Sequence, residues 1–194
     1  MKVSGEGLAG GLVQIQTLTA SAETGRTFVW IPASEAGDYG LEGEGWYDAD
    51  EGCVAEKTFL PGEGFVTMND FGTGATITYA GQVVNGATVI PLAPDVSVSG
   101  NCTPVDIDIQ SMVCEGEGLA GGLVQLQTLT ATAETGRTFV WIPASEAGDY
   151  GLEGEGWYDA DEGCVAEKTF VAGEGFVVMN DYGEGATLKL PSAL

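Results

Sequence analysis

Residues 12–20 read LVQIQTLTA, and residues 123–131 read LVQLQTLTA. In the first of these stretches Val13, Ile15 and Thr17 lie on one side of the chain, alternating with glutamines on the other. A period of two residues is typical of a β-strand. The stretch therefore predicts a strand, and its recurrence predicts a second copy of the sheet that this strand joins.

The repetition extends far beyond this strand. Residues 5–78 align without a gap with residues 116–189, at an offset of 111 positions and with nine differences among 74 positions. The chain is therefore organised as A–B–A′, with A at about 1–79, B at about 80–111 and A′ at about 112–194.

The B segment (80–111) occurs once, although the A unit occurs twice. Either B completes one A unit and leaves the other short of strands, or the two units share it. A unit that lacks its partner strands exposes an unpaired edge, which must be capped or must pair with another chain. The order A–B–A′ therefore predicts a structural route to polymerisation.

Short strand-like runs separated by turn residues fill the rest of the chain. Residues 27–31 (TFVWI) are β-branched and aromatic, and strands are expected in B at 95–99 and 105–109. Asn85-Gly86 between two apolar runs is a strong hairpin signal. Because no stretch keeps a 3.6-residue apolar period, we expect an all-β fold: two tandem, near-identical β-sandwich-like modules of short antiparallel strands.

The charge balance restricts the possible partners. Acidic residues number 29 and basic residues 6, which gives a formal net charge of −23 at pH 7. Because a protein must neutralise phosphates with Lys and Arg to bind nucleic acid, the composition excludes that partner. The charge favours solubility and attracts cations. No apolar run approaches about 18 residues, so we expect no transmembrane segment.

Histidine is absent from the sequence. This residue is the commonest general base and the commonest side-chain ligand of transition metals. Pairs of carboxylates are unavoidable in so acidic a chain, and no other catalytic constellation accompanies them. We therefore expect that the protein is not an enzyme, has no catalytic residues and uses no cofactor, with Ca²⁺ as the one possible exception.

Four cysteines, Cys53, Cys102, Cys114 and Cys164, are the disulfide candidates. An even count at wide spacing fits two disulfides in an oxidising compartment. One pairing, Cys53–Cys102 with Cys114–Cys164, gives each A unit one bridge. The main rival, Cys102–Cys164, leaves Cys53 for Cys114 or for another chain. The remaining alternative is four buried free thiols in a cytosolic protein.

Residues 45–52 (GWYDADEG) recur at 156–163 and hold the candidate metal ligands. Ca²⁺ takes about six to eight oxygen ligands, which clustered carboxylates can supply. The candidates are Asp48, Asp50 and Glu51, with Asp159, Asp161 and Glu162 in the second copy. The alternative is a hairpin turn, in which Asp and Gly are favoured for backbone reasons.

Four tryptophans, Trp30, Trp46, Trp141 and Trp157, are candidates for stacking against a glycan. Successive residues of a strand point to opposite faces, so Phe28 and Trp30 share one face. A pair of aromatic residues on one face also suits core packing, which is the alternative.

Several of these stretches resemble, taken together, a repeat found in secreted or surface proteins of bacteria, which are largely uncharacterised. They are SGNCTPVDIDIQ at 99–110, VQLQTLTA at 124–131, GWYDADEG, AGEGFVV at 172–178 and TLKLPSAL at 187–194. In that repeat a G-N-x-T-P-V-D segment begins a β-rich module that ends in P-x-A-L. The resemblance implies extracellular β modules at 1–99 (repeat unit 1–79 with part of the connector 80–111) and at 100–194. It implies no catalytic residues.

Two hypotheses about function follow. The first is an extracellular structural protein, secreted or on the cell surface, that self-associates through β-strand complementation as the subunit of a surface filament. Its partner is another copy of the chain, in a homo-oligomer or homo-polymer. The alternative is a secreted glycan-binding or cell-adhesion module that uses the tryptophans.

Overall fold

The computed structural model describes residues 1–4, 13–17, 25–69, 76–78, 86–92, 95–116, 124–128, 136–181 and 185–192. These residues form antiparallel strands and short 3₁₀ helices at Ala36–Tyr39, Ile109–Ser111 and Ala147–Tyr150. The predicted all-β fold is confirmed. No helix in these ranges is long and apolar enough to cross a membrane.

The chain divides into two compact units. Unit 1 comprises Met1–Phe59 and Phe65–Gln82, which is most of the first repeat. Unit 2 comprises Leu60–Gly64 and Val83–Leu194, and so joins nearly all of the B segment to the second repeat.

Unit 1 has one main sheet and one short ribbon. Its strands are β1 (Lys2–Ser4), β2 (Val13–Thr17), β3 (Thr27–Ile31), β4 (Gly45–Asp48), β5 (Cys53–Val54), β6 (Phe65–Asn69) and β7 (Thr76–Thr78). The main sheet has the order β5-β4-β3-β2-β6, and β1 pairs with β7. Strand β2 confirms the prediction for LVQIQTLTA over the five residues of that stretch that the structure describes. Val3 of β1 and Trp30 of β3 are buried in one apolar cluster, against which Trp46 and Ile77 pack.

Unit 2 is a β-sandwich with additional strands. Its strands are β8 (Thr88–Leu92), β9 (Asp95–Gly100), β10 (Ile107–Asp108), β11 (Val113–Glu115), β12 (Val124–Thr128), β13 (Thr138–Ile142), β14 (Gly156–Asp159), β15 (Cys164–Val165), β16 (Thr169–Phe170), β17 (Gly175–Asn180) and β18 (Ala186–Leu190). One sheet has the order β15-β14-β13-β12-β17-β9, the second has the order β11-β18-β8, and β10 pairs with β16.

One apolar cluster forms the core of unit 2, and both sheets contribute to it. Leu126, Phe139 and Phe176 from the six-stranded sheet are 0% exposed, as are Leu188 and Leu190 from the three-stranded sheet. Buried side chains alternate along β12, β17 and β18 because one face of each sheet is turned inward.

The B segment completes the second repeat. Strand β8 lies beside β18, β9 lies beside β17, and β10 lies beside β16, each in antiparallel register. These pairings place residues 83–99 in unit 2, whereas the sequence analysis expects them in a module at 1–99. The difference arises because backbone pairing, rather than the start of the G-N-x-T motif, determines which strands pack together.

The expected strand at 105–109 is shorter than predicted. Strand β10 has two residues, and the chain then turns into the 3₁₀ helix Ile109–Ser111. Asp108 caps this turn, since its Oδ1 accepts a hydrogen bond from Gln110 N at 2.8 Å. Ser111 Oγ donates to the carbonyl of Asp108 at 2.6 Å. Local side-chain hydrogen bonds of this kind compete with strand pairing.

The predicted hairpin at Asn85-Gly86 falls partly outside the described residues. Gly86 has a φ of +116°, in the region that favours glycine, and β8 begins two residues later. Asn85 and residues 82–84 lie outside the described residues.

The short loop Leu60–Gly64 of the first repeat packs on the B segment within unit 2. Gly64 N donates to the carbonyl O of Val98 at 3.1 Å. Gly62 lies so close to Ile90 that a Cβ at this glycine would be 2.5 Å from Ile90 Cγ1. Gly62 also has a φ of +81°, so both its conformation and its surroundings require glycine.

Candidate functional site

Gln110 fastens the B segment to the six-stranded sheet of unit 2. Its Nε2 donates to the carbonyl O of Trp157 at 2.7 Å and to that of Ala166 at 2.9 Å. Its Oε1 accepts from Trp157 N at 3.0 Å. One side-chain amide therefore bonds to three backbone groups, of which Trp157 O also accepts from Ala166 N at 3.0 Å. We call this three-bond contact the Gln110 latch.

Gly156 makes room for the Gln110 latch. A Cβ at this position would lie 2.8 Å from Gln110 Oε1, which is closer than side chains approach one another. Next to it, Trp157 Nε1 donates to the carbonyl O of Met112 at 2.8 Å. Trp157 is 0% exposed. The equivalent bond in unit 1 runs from Trp46 Nε1 to the carbonyl O of Met1 at 3.3 Å, so this contact belongs to the repeat and not to the B segment.

Asn101 is the second anchor of the B segment and is 2% exposed. Its Nδ2 donates to the carbonyl O of Val105 at 2.8 Å and to that of Phe170 at 3.0 Å. Its backbone N donates to Glu174 O, and its backbone O accepts from Gly173 N, both at 2.9 Å. Asn101 therefore joins the B segment to the loop between β16 and β17.

The corresponding face of unit 1 carries no such segment within the described residues. Strand β6 has β2 as its one neighbour and β7 has β1, whereas their counterparts β17 and β18 have a strand on each side. We call the set Trp46, Ala55, Phe59, Phe65 and Ile77 the uncovered face, since each is the counterpart of a residue that the B segment helps to bury in unit 2.

The exposure of side chains differs sharply between the uncovered face of unit 1 and the corresponding face of unit 2. Every residue of the uncovered face is half-buried. The unit 2 counterparts, which are at most 1% exposed, are Trp157, Ala166, Phe170, Phe176 and Leu188. The two repeats have the same residue at four of these five positions, so the difference comes from the covering segment and not from the A sequence.

Unit 1 keeps the geometry that the B segment meets in unit 2. Ala55 N donates to Trp46 O at 3.0 Å, as Ala166 N does to Trp157 O. The Phe59 and Phe65 ring centroids are 5.0 Å apart with an interplanar angle of 56°, and their counterparts are 4.9 Å apart at the same angle. At Gly45 the nearest described atom to an added Cβ is Leu41 Cδ2 at 3.1 Å, and no side chain of the described residues takes the place of Gln110 there.

The edge of β6 that has no partner strand in the described part of the chain completes this surface. Thr67 is exposed, and Met68 is 37% exposed. At the position of Thr67 the second repeat has Val178, which is 1% exposed beneath the complete sheet. An edge strand with unpaired N–H and C=O groups is a template for an added strand.

The carboxylates predicted as calcium ligands are bonded to the protein itself. Asp48 is 0% exposed, and its Oδ1 accepts from the backbone N of Asp50 and of Glu51, both at 3.0 Å. Its Oδ2 accepts from Arg26 Nη2. Asp50 Oδ2 accepts from Thr27 N at 2.5 Å. The same bonds recur in the second copy among Arg137, Thr138, Asp159, Asp161 and Glu162.

This arrangement favours the hairpin-turn interpretation of GWYDADEG. Two backbone donors and a guanidinium occupy the Asp48 carboxylate, and a cation would have to displace them. No group of three or more His, Cys, Asp or Glu residues in the described part of the chain could hold a metal ion.

The same contacts alter the acidity of the two buried aspartates. Burial raises the pKa of Asp48, but hydrogen bonds from Glu51 N, Arg26 and Asp50 N outweigh that effect and hold the pKa below its ordinary value. The pKa of Asp159 is lowered for the same reasons, with Arg137 in the place of Arg26. Both turns therefore hold ionised aspartates at neutral pH.

The four tryptophans are buried to different degrees. Trp30 is 5% exposed, Trp141 is 3% exposed and Trp157 is 0% exposed, so none of these three offers a ring face to a sugar. Trp46 is half-buried and packs edge-on against Trp30, with ring centroids 5.4 Å apart. A glycan-stacking role for the four tryptophans stays a prediction.

The four cysteines all lie in described residues, and all four are free thiols. Cys53 and Cys164 are exposed on the edge strands β5 and β15, whereas Cys114 is buried in the core. Cys102 is half-buried, with its Sγ 3.7 Å from Thr88 Oγ1. The predicted disulfides are therefore not formed in this structure. Burial, followed by the nearby charge of Glu155, raises the pKa of the Cys114 thiol.

Sequence reasoning missed Gln110 and Asn101, the two anchors of the B segment. It also missed the buried ion pair between Lys168 Nζ and Glu174 Oε1, at 3.0 Å, which lies beside the Asn101 anchor. The available signal was that Asn101 and Gln110 belong to the one segment that is not repeated.

No known protein family, curated protein or solved structure matches the chain. The geometry of the uncovered face and the repeat in the sequence therefore carry the functional conclusion.

Proposed function

We propose that this protein is an extracellular structural protein that self-associates through β-strand complementation, as the subunit of a surface filament. The observation that carries the proposal is the contrast between the two repeats. One repeat is completed by the B segment, and the near-identical repeat in unit 1 has a half-buried apolar face and, among the described residues, two strand edges without a partner strand.

The energetics support association at this face. Burying apolar surface contributes about 25 cal/mol per Å², and the uncovered face includes three aromatic side chains. An added strand also supplies main-chain hydrogen bonds along the edge that it joins. A second copy of the chain is the partner because it carries the same strands and edges.

The role is proposed as structural and not catalytic. In the described residues the buried aspartates have lowered pKa values and engage turn amides and an arginine, an arrangement that holds loops in place. The extracellular location is supported by the resemblance to repeats of secreted or surface proteins and by the strongly acidic composition. Surface labelling of intact producing cells tests that location.

Self-association is tested by light scattering after size exclusion, over a wide range of chain concentration, with electron microscopy of the most concentrated sample. The expected result is a mass that rises with concentration and elongated particles in the images. A particle of monomer mass at every concentration, with and without Ca²⁺, contradicts the proposal. Carrying out both series with Ca²⁺ and with a chelator also tests whether a cation takes part.

A further inference from the structure

We infer that the uncovered face of unit 1 is a binding site for a second B segment, supplied in trans by another polypeptide, in the register that the first B segment adopts on unit 2. The inference goes beyond the proposed function, since it names a segment that completes unit 1 and can bind whether or not copies of the chain associate. Its basis is that the structure already contains this complex once, within unit 2.

The register follows from the offset between the repeats. In unit 2, Val98 of β9 lies opposite Val177 of β17, and Ile90 of β8 lies opposite Leu188 of β18. The counterparts in unit 1 are Val66 of β6 and Ile77 of β7. A B segment on unit 1 therefore places one strand along β6 and one strand along β7, closing both free edges.

The side chains of both anchors also find their partners in unit 1, whereas the backbone partners of Asn101 correspond to Gly62 and Glu63, in the loop that packs on the B segment within unit 2. The Gln110 latch requires the backbone N and O of Trp46, the O of Ala55 and the space above Gly45. Asn101 requires the carbonyl O of Phe59. These residues are identical in the two repeats, so a second B segment meets the same backbone groups that hold the first.

A count of segments identifies the donor. Each chain holds one B segment and two repeats, so exchange of B between two closed copies fills one repeat and empties another. Such exchange buries no additional apolar surface. An additional B segment buries the uncovered face without opening unit 2. The occupant is therefore a segment with the sequence of 86–112 on a polypeptide whose own repeat does not hold it.

The test uses the full chain and a synthetic peptide of residues 86–112. We expect binding at one peptide per chain by calorimetry, and hydrogen-exchange protection appearing in β6 and β7 of unit 1. A peptide with Gln110→Ala lacks three hydrogen bonds and is expected to bind about 10- to 100-fold more weakly. A peptide of scrambled sequence is the control.

Two variants of the chain locate the site. Gly45→Ala puts a methyl group where the Gln110 latch must enter, and the flexible end of Leu41 can move aside, so the fold tolerates the change. We expect this variant to lose at least about tenfold in peptide affinity. Gly43→Ala is the matched control, because an added Cβ there meets no atom within 4 Å and we expect unchanged affinity.

Several outcomes overturn the inference: no binding at about 100 μM peptide, protection confined to β17 and β18, or equal affinity for the wild-type and Gln110→Ala peptides. A dimer of the chain that the peptide neither binds nor dissociates means that a second copy of unit 1 covers the face instead. If the peptide binds as expected but the chain alone stays monomeric, the inference stands and the proposed self-association fails. If the chain assembles but the peptide does not bind, the proposed self-association stands and the inference fails.

Discussion

The side chain of Gln110 and the backbone of Trp157 bond in both directions, through Trp157 N at 3.0 Å and Trp157 O at 2.7 Å. The two residues are 47 positions apart, and their contact fixes the end of the B segment on β14. This reciprocal contact distinguishes the completed repeat from the open one.

Gln110→Ala should therefore lower the stability of unit 2. The variant leaves Trp157 N and the carbonyls of Trp157 and Ala166 without their side-chain partner. Because water can reach part of this site, we expect a loss of about 1–2 kcal/mol in the free energy of unfolding, measured by urea denaturation. Gln110→Glu keeps the acceptor but replaces the donor with a charge facing two carbonyls, and should cost more. Unchanged stability in both variants would mean that β8 and β9 alone hold the segment.

Trp46 and Trp157 provide a direct measure of what the B segment contributes. Truncating a fully buried Trp costs about 3–5 kcal/mol, so Trp157→Ala should destabilise unit 2 strongly. Trp46→Ala should cost less, because its side chain is only partly buried. Far-UV circular dichroism during denaturation gives both values. Equal losses would indicate that Trp46 is covered in solution as completely as Trp157.

The stability of both units should fall in acid. The folded pKa of Asp48 and of Asp159 lies below the ordinary value of 3.8, so the ionised form is favoured by folding. Their contribution is complete above about pH 3.8 and is lost as the pH falls from there through the lowered folded pKa. Denaturation midpoints measured between about pH 2 and 6 should show this decline. In the double variant Asp48→Asn, Asp159→Asn, the denaturation midpoint should fall less steeply as the pH is lowered. An unchanged dependence on pH would mean that other carboxylates cause the loss of stability in acid.

The sequence predicted the strands well where local pattern determines them. The period of two in LVQIQT predicted β2, and the same pattern predicted β12, because the alternation of side chains between two faces is a property of a single strand. The A–B–A′ order predicted either that one repeat would lack partner strands or that the two repeats would share B, and the count of segments does not choose between these alternatives.

Burial and anchoring could not be predicted in the same way. Trp46 and Trp157 have identical neighbours in sequence, yet one is half-buried and the other is 0% exposed, because a distant segment covers the second. Likewise nothing in the sequence around Gln110 indicates a partner 47 residues away. The expected disulfides are not formed in the structure. An even number of cysteines says nothing about the distance between their sulfur atoms, and here Cys114 is buried in the core while Cys164 is exposed to solvent.

The thiols should fall into reactivity classes that follow their exposure. Cys53 and Cys164 are exposed and should react rapidly with a thiol reagent in the native protein. Cys102 should react slowly, and Cys114 should react only on unfolding, since burial both shields its Sγ and raises its pKa. Mass spectrometry after timed alkylation assigns each site. Four unreactive cysteines that become reactive after reduction would restore the disulfide interpretation.

Salt should promote the association of copies. The chain carries a net charge of −23, so two copies that approach repel one another at low ionic strength. At about 0.15 M salt the screening length is about 8 Å, and the repulsion between exposed carboxylates falls accordingly. Burial of the uncovered face is apolar and is not weakened by screening. The assembled fraction, measured by light scattering at fixed chain concentration, should therefore rise with NaCl and rise further with a divalent cation at equal ionic strength. A fraction that falls as NaCl increases would show that attraction between opposite charges, rather than strand and apolar contact, holds the copies together.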